Sequence, residues 1–254
     1  MSTEVYPPEP LNYPLAIPKG DVAGQSSVNK FGRNTAVGTG GEDIWDAGGT
    51  WVAPTQARLH AIVSDSTADA PSASGSWEVQ VYGLKTWSSA EHSEVLAMNG
   101  TTAVTTSASY VIIHRIVSTN HGVLPNKGVI SCTADIDGTV TAQILAEQGQ
   151  TQMAIYGIPS TQTAYMTGFY CSILGTPNAT ADVNLQYVNV PDDPTSTGSL
   201  VKHTTGLAIG GSSTSQHFYN PYNKFTGPGI FKMSAAPSTE ADISAGFDLI
   251  LVNN

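Results

Sequence analysis

The chain has 254 residues, 12% of them charged, with 20 acidic against 10 basic side chains, a net charge of −10 and a pI near 4.8. That length allows a core large enough to need no disulfide or metal staples. The acidic balance lacks the cationic footprint that holds a phosphate backbone, so no nucleic acid partner is expected, and no apolar run reaches the ~20 residues of a membrane span.

Residues 1–30 carry Pro7, Pro8, Pro10, Pro14 and Pro18, which predict extended or polyproline chain instead of helix. Such a stretch reads as an arm lying along another surface. It has no basic segment followed by an apolar core, so no secretory signal is expected. The next stretch, "NKFGRNTAVGTGGEDIWDAGGTWVAP" (29–54), mixes glycines with Trp45, Trp51 and the acids Glu42, Asp43 and Asp46. Glycine permits close backbone approach and positive φ, which a ligand loop and a neighbour-gripping edge both need. The second use is favoured, with the acids as turn-formers. The expected protein interface is Tyr6, Leu11, Tyr13, Leu15 and Ile17 in the arm, with Phe31, Ile44, Trp45 and Trp51 after it.

From about residue 56 the chain becomes short β-type runs. "LHAIVS" (59–64) and "SWEVQVYGL" (76–84) come first, the latter alternating Trp77, Val79 and Val81 against Glu78 and Gln80. "YVIIHRIVS" (110–118), "GVISCTA" (128–134), "TVTAQILA" (139–146) and "MAIYGIP" (153–159) follow, then "AYMTGFYCSIL" (164–174), "ADVNLQYVNV" (181–190), "SLVKHTT" (199–205) and "DISAGFDLILV" (242–252). Period-two alternation, β-branched enrichment and bounding turn residues are the signals. "SSAEHSEVLAM" (88–98) reads as short helix or strand. "NG" (99–100), "DG" (137–138) and "QG" (148–149) read as hairpin turns. The loops 65–75 and 190–198 would cluster at the ends of a sandwich, and 206–231 alternates poorly, like an excursion toward a neighbour. The expected fold is all-β: a β-sandwich of jelly-roll or Greek-key type over 31–254, with a subdivision point near 190–198 and an extended N-terminal arm over 1–30.

Chemistry-bearing patterns are sparse. No G-x-S-x-G elbow occurs, and His60, His92, His114, His121, His203 and His217 form no metal-spaced pair, so no metal or cofactor is expected. His60 and His114 read as hydrogen-bonded or exposed strand residues. "ADIDGT" (134–139) is a turn and not a calcium loop, and "GTGGED" (38–43) lacks the lysine of a phosphate loop. Asp43 and Asp46 beside Trp45 are the best local candidates for glycoside hydrolysis. Cys132 and Cys171 sit in apolar runs and read as buried free thiols.

An ordered set of signatures resembles virion structural proteins of tailed bacteriophages. They are "FGRNTAV…EDIWDAGG" (31–49), "SWEVQVYGL" (76–84), "SEVLAMNGTTAVTTSASYVIIHRI" (93–116), "HGVLPNKGVI" (121–130) and "YGIPSTQTAYM" (156–166). Gly32, Asn34, Asp43, Ile44, Trp45, Asp46 and Gly49 match the first; Leu96, Asn99 and Gly100, then Asn126, Gly128 and Ile130, match later ones. The resemblance covers roughly 31–170 and implies a β-sandwich homotrimer on a capsid shell or tail, with no catalytic residues to carry over. The expected function is therefore non-enzymatic: a capsid decoration or cement protein, located in the virion after assembly in the host cytoplasm. Its partners would be the major capsid protein or other virion proteins. The rival readings are a tail-fibre or receptor-binding component that grips host glycans, and a polysaccharide-degrading enzyme using Asp43 and Asp46.

Overall fold

The computed structural model describes residues 12–174, 178–189, 199–208 and 212–254. Tyr6 and Leu11, with the loop over 190–198, lie outside them. The chain is nearly all β, and every strand pairing among the described residues is antiparallel. Helix α1 (Tyr13–Lys19) precedes strands β1 (Gln25–Val37), β2 (Glu42–Asp43), β3 (His60–Ser64), β4 (Ser76–Leu84), β5 (His92–Ala97) and β6 (Val104–Thr105). Then come β7 (Ile112–His121), β8 (Ile130–Ala134), β9 (Val140–Ile144), β10 (Ile155–Ile158) and β11 (Gln162–Leu174). The last are β12 (Thr180–Asn189), β13 (Ser199–Ala208), β14 (Ser212–Thr226), β15 (Gly229–Pro237) and β16 (Ala241–Asn253).

A single jelly-roll sandwich is not what these strands build. Among the described residues they form four sheets: β1-β16-β11-β14; β10-β15-β12-β13 with β2 against β15; β6-β3-β8-β9; and β5-β4-β7. The first two enclose one core, in which Phe247 of β16 meets Phe231 of β15 at 5.6 Å. The last two enclose a second, built on Ile62, Val79, Val81, Ile112, Ile116, Ile130 and Ile144. Strand β10 belongs to both. Its four residues are all buried, Tyr156 and Ile158 facing the first core and Ile155 the second. Gly157 leaves room for Ile112, whose Cγ2 would lie 2.9 Å from a Cβ placed there. One lobe, residues 60–144, is thus inserted between β2 and β10 of the other.

The prolines do not exclude a helix. Pro14 occupies its first turn, where the missing N–H has no intrahelical partner to lose, and Gly20 at φ 80° ends it while donating to Ala16 and Ile17 carbonyls. Ala16 and Ile17 are buried, and β1 begins at Gln25, pairing with β16 from Gln25↔Val252 onward. Residues 92–97 resolve as strand. Only "DG" closes a hairpin, β8–β9; Asn99-Gly100 and Gln148-Gly149 connect strands that do not pair with each other. Cys132 and Cys171 are free, buried and in different cores, where burial raises the thiols to about 12 and about 11.

Candidate interaction surface

Among the described residues strand β14 ends one sheet opposite β1, and strand β13 ends the next opposite β10. Strand β14 departs from regular pairing: Asn223 stands opposite Met166 and Phe218 opposite Gly168, so Tyr219, Asn220, Pro221 and Tyr222 bulge out beside Thr167. This knuckle presents Phe218, 68% exposed, and Tyr222, 50% exposed, while Leu200 and Val201 are exposed on β13. Beside the knuckle, His217, His203 and Phe169 cluster with tilted rings, centroids 4.8 Å apart for both His203 pairs, and Tyr219 meets His217 edge-on at 4.7 Å. Burial, then its neighbour His217, lowers the His203 imidazole below its usual value. A groove of about 340 Å³ separates the knuckle from α1; Tyr13, Ile17, Val28, Tyr222 and Ile250 line it.

Of the residues expected at an interface, Tyr13 and Leu15 are exposed and lie by this groove's helix. Phe31 is half-buried. Ile17, Ile44, Trp45 and Trp51 are corrected: their side chains are buried within the chain and their apolar area is already removed from water. Trp45 and Trp51 belong to the second core, and Trp51 Nε1 donates to the Thr141 carbonyl at 2.8 Å. Trp77, expected in a core, is half-buried, because the register shifts on either side of Glu78 rotate it out of the alternation.

The acids of 42–46 serve the fold individually. Glu42 accepts from Gly49 N (2.8 Å), Asn34 Nδ2 (2.8 Å) and Gly38 N (3.1 Å). Burial opposes its ionisation, but those three donors outweigh it and hold the carboxyl below its usual range. Asp43 accepts from Trp51 N (2.8 Å) and pairs with Lys232 (3.0 Å), yet burial keeps its carboxyl above the usual range. Asp46 accepts from Gln152 N at 2.7 Å through Oδ2, while Oδ1 is buried without a partner. Burial therefore raises it to about 7 against the opposing Gln152 bond. Among the described residues no three His, Cys, Asp or Glu side chains converge as metal ligands.

Asp46 gives a signed expectation. Its folded value lies above the unfolded one near 3.9, so the folded state holds the proton more tightly. Stability from this group is full below about pH 4 and is lost as pH rises through about 7. Asp46→Asn should match the parent at pH 4 and exceed it at pH 8 in urea midpoint. His60, lowered to about 4 chiefly by burial, acts with opposite sign, so the readout is the difference between the two proteins. A difference independent of pH would refute the assignment.

Sequence reasoning missed two buried features. Asp69, fully buried, accepts from Ser64 Oγ (2.5 Å), Ser76 N (2.7 Å), Lys127 N (2.7 Å) and Gly128 N (2.9 Å), tying the 65–75 loop to 127–128. Lys30 is buried on β1 and donates to the His114 carbonyl at 2.5 Å. His60 and His114 are hydrogen-bonded, as expected, and both are buried.

No protein-family model matches the sequence, and no curated protein matches it. Among solved structures it is similar to a chain of the infectious bursal disease virus Gx strain, at 10% identity over 91% of this chain and 71% of that chain, with a TM-score of 0.24. A mutant VP2 protein of the same virus, from derived T=1 particles, gives 10% identity, coverage of 97% and 76%, and a TM-score of 0.27. The VP2 subviral particle of that virus gives 11%, 92% and 73%, and 0.21. These neighbours come from virus particles, and the likeness to each is weak.

Proposed function

We propose that the chain is a non-enzymatic structural protein of a virus particle, a decoration or cement protein that stabilises a phage head by covering surface. The observation that carries this reading is that two long terminal strands, β13 and β14, hold Phe218, Tyr222, Leu200 and Val201 facing water. Unpaired strand edges bearing large apolar groups invite another chain, and proteins that stay alone blunt them. Closed symmetry would cover identical edges in a homotrimer, and repeated weak contacts on a lattice add up without one tight site. The low charge content of the chain lowers the desolvation cost of such contact.

The test is a Phe218→Ser/Tyr222→Ser double variant, checked for folding by circular dichroism and then co-sedimented with purified particles. Occupancy should fall by about tenfold or more, as for loss of two central aromatic anchors. Undiminished occupancy, together with a parent protein that sediments as a monomer, would sink the reading. A second reading, binding of host glycans as a tail component, is favoured by the knuckle itself, where Phe218 and Tyr222 flank the polar Asn220. Aromatic faces beside an amide suit a sugar ring. Saturable binding on a glycan array, abolished in the same variant, would select it.

A further inference from the structure

A cavity of about 170 Å³ opens at the seam of the two lobes, lined by Lys30 of β1, Tyr82 of β4, His114 and Arg115 of β7, Tyr156 of β10 and Glu91 ahead of β5. Its charges are unbalanced. Lys30 is 6% exposed, yet among the described residues its ammonium has the His114 carbonyl as its hydrogen-bond partner and no carboxylate within ion-pair distance. A buried lysine is ordinarily paired, because an isolated buried charge is costly. Arg115 likewise has no carboxylate partner: its guanidinium donates to Gln150 Oε1 at 3.1 Å and lies 5.6 Å from the Tyr82 ring centre. The single lining carboxylate, Glu91, is engaged by His114 Nε2 at 2.6 Å. His114 is 2% exposed, and its Nδ1 has no partner.

Two cations therefore meet one committed carboxylate, in a chain that is acidic overall. The volume is several times the ~30 Å³ share of a water molecule and accommodates an ion of a few heavy atoms. We propose that this cavity is a binding site for a small oxyanion, a carboxylate or a phosphate, held by the Lys30 ammonium and the Arg115 guanidinium. The lining phenols of Tyr82 and Tyr156 supply neutral hydrogen-bond donors, while His114, whose Nε2–H donates to Glu91, serves to hold that carboxylate aside. A bound anion supplies the countercharge that Lys30 lacks. Because its ligands come from β1, β4, β7 and β10, occupancy would also tie three sheets together.

The lining carries a second signature. Burial, with Arg115 adding repulsion, lowers the Lys30 ammonium to about 7 against the smaller opposing pull of Glu91. An anion reverses that balance, so binding near pH 7 should take up a proton. The 254-residue chain is titrated with sodium acetate and, separately, inorganic phosphate by calorimetry, in two buffers of different ionisation enthalpy and against sodium chloride of equal ionic strength. Saturable heat with one probe, differing between buffers, is expected, and the two arms distinguish carboxylate from phosphate. Arg115→Gln should weaken binding by about tenfold, the usual worth of a charge-assisted hydrogen bond. Lys30→Met, which removes an unpaired buried charge and so leaves the fold intact, should abolish both binding and proton uptake. Absence of saturable heat with both probes, or equal binding by Lys30→Met, overturns the proposal.

Discussion

Asp69→Ala should lower the unfolding free energy by about 4 kcal/mol, read from urea midpoints with the slope unchanged. The carboxylate receives four hydrogen bonds, three of them from the backbone N–H groups of Ser76, Lys127 and Gly128. Alanine leaves those donors facing a pocket with no acceptor, and each such loss costs about 1–3 kcal/mol, adding less than fully because they share one site. Gly75 packs so close to Asp69 Oδ1 that a Cβ there would overlap it, which shows how tightly the loop wraps the carboxylate. Asp69→Asn retains two lone pairs but aims an amide at donors, and should fall between parent and alanine. A loss under about 1 kcal/mol would mean that solvent reaches the three amides and replaces the carboxylate.

Gly32→Ala is expected to cost about 3 kcal/mol or more, by forcing backbone apart instead of by emptying a pocket. A Cβ on Gly32 would overlap Ala154 N and Ile44 O, which are hydrogen-bonded to each other at 2.9 Å. That bond sits in a chain of contacts, Met233 N to Ala154 O and Ile44 N to Met233 O, that joins the stretches flanking the inserted lobe. Rigid backbone on both sides leaves nothing to rotate away. Gly40→Ala is the control, since nothing lies within 4 Å of its added Cβ and the change should be within about 0.5 kcal/mol. Equal melting behaviour of the two variants would show that β1 can shift outward at Gly32.

How far the sequence reveals this arrangement depends on where each residue's constraint comes from. Strand β4 is legible over Ser76–Leu84 because its alternation is local, and all-β character follows from many such runs. Strand β14 is not, because its inner-face positions carry His217 and Tyr219 instead of aliphatics, and four residues bulge out of register. The tryptophans misled for a different reason. Glycines beside Trp45 and Trp51 suggested exposure, whereas they let the 42–51 backbone fold tightly enough to bury both rings. Tertiary pairing alone determines the charge cluster. Lys30 stands opposite Phe247 in the β1–β16 register and so faces inward, a direction its polar neighbours Asn29 and Asn34 give no reason to expect. Asp69 is likewise one of several acids in turn-rich sequence until the fold brings Lys127 and Gly128 to it.

Strand β10 has a consequence for how the molecule comes apart. With Ile155 in one core and Tyr156 and Ile158 in the other, neither lobe can melt while its companion stays intact without uncovering one side of a strand that has no wet face. The two halves are coupled into one cooperative unit despite their separate interiors, and the long insertion must close before either is complete.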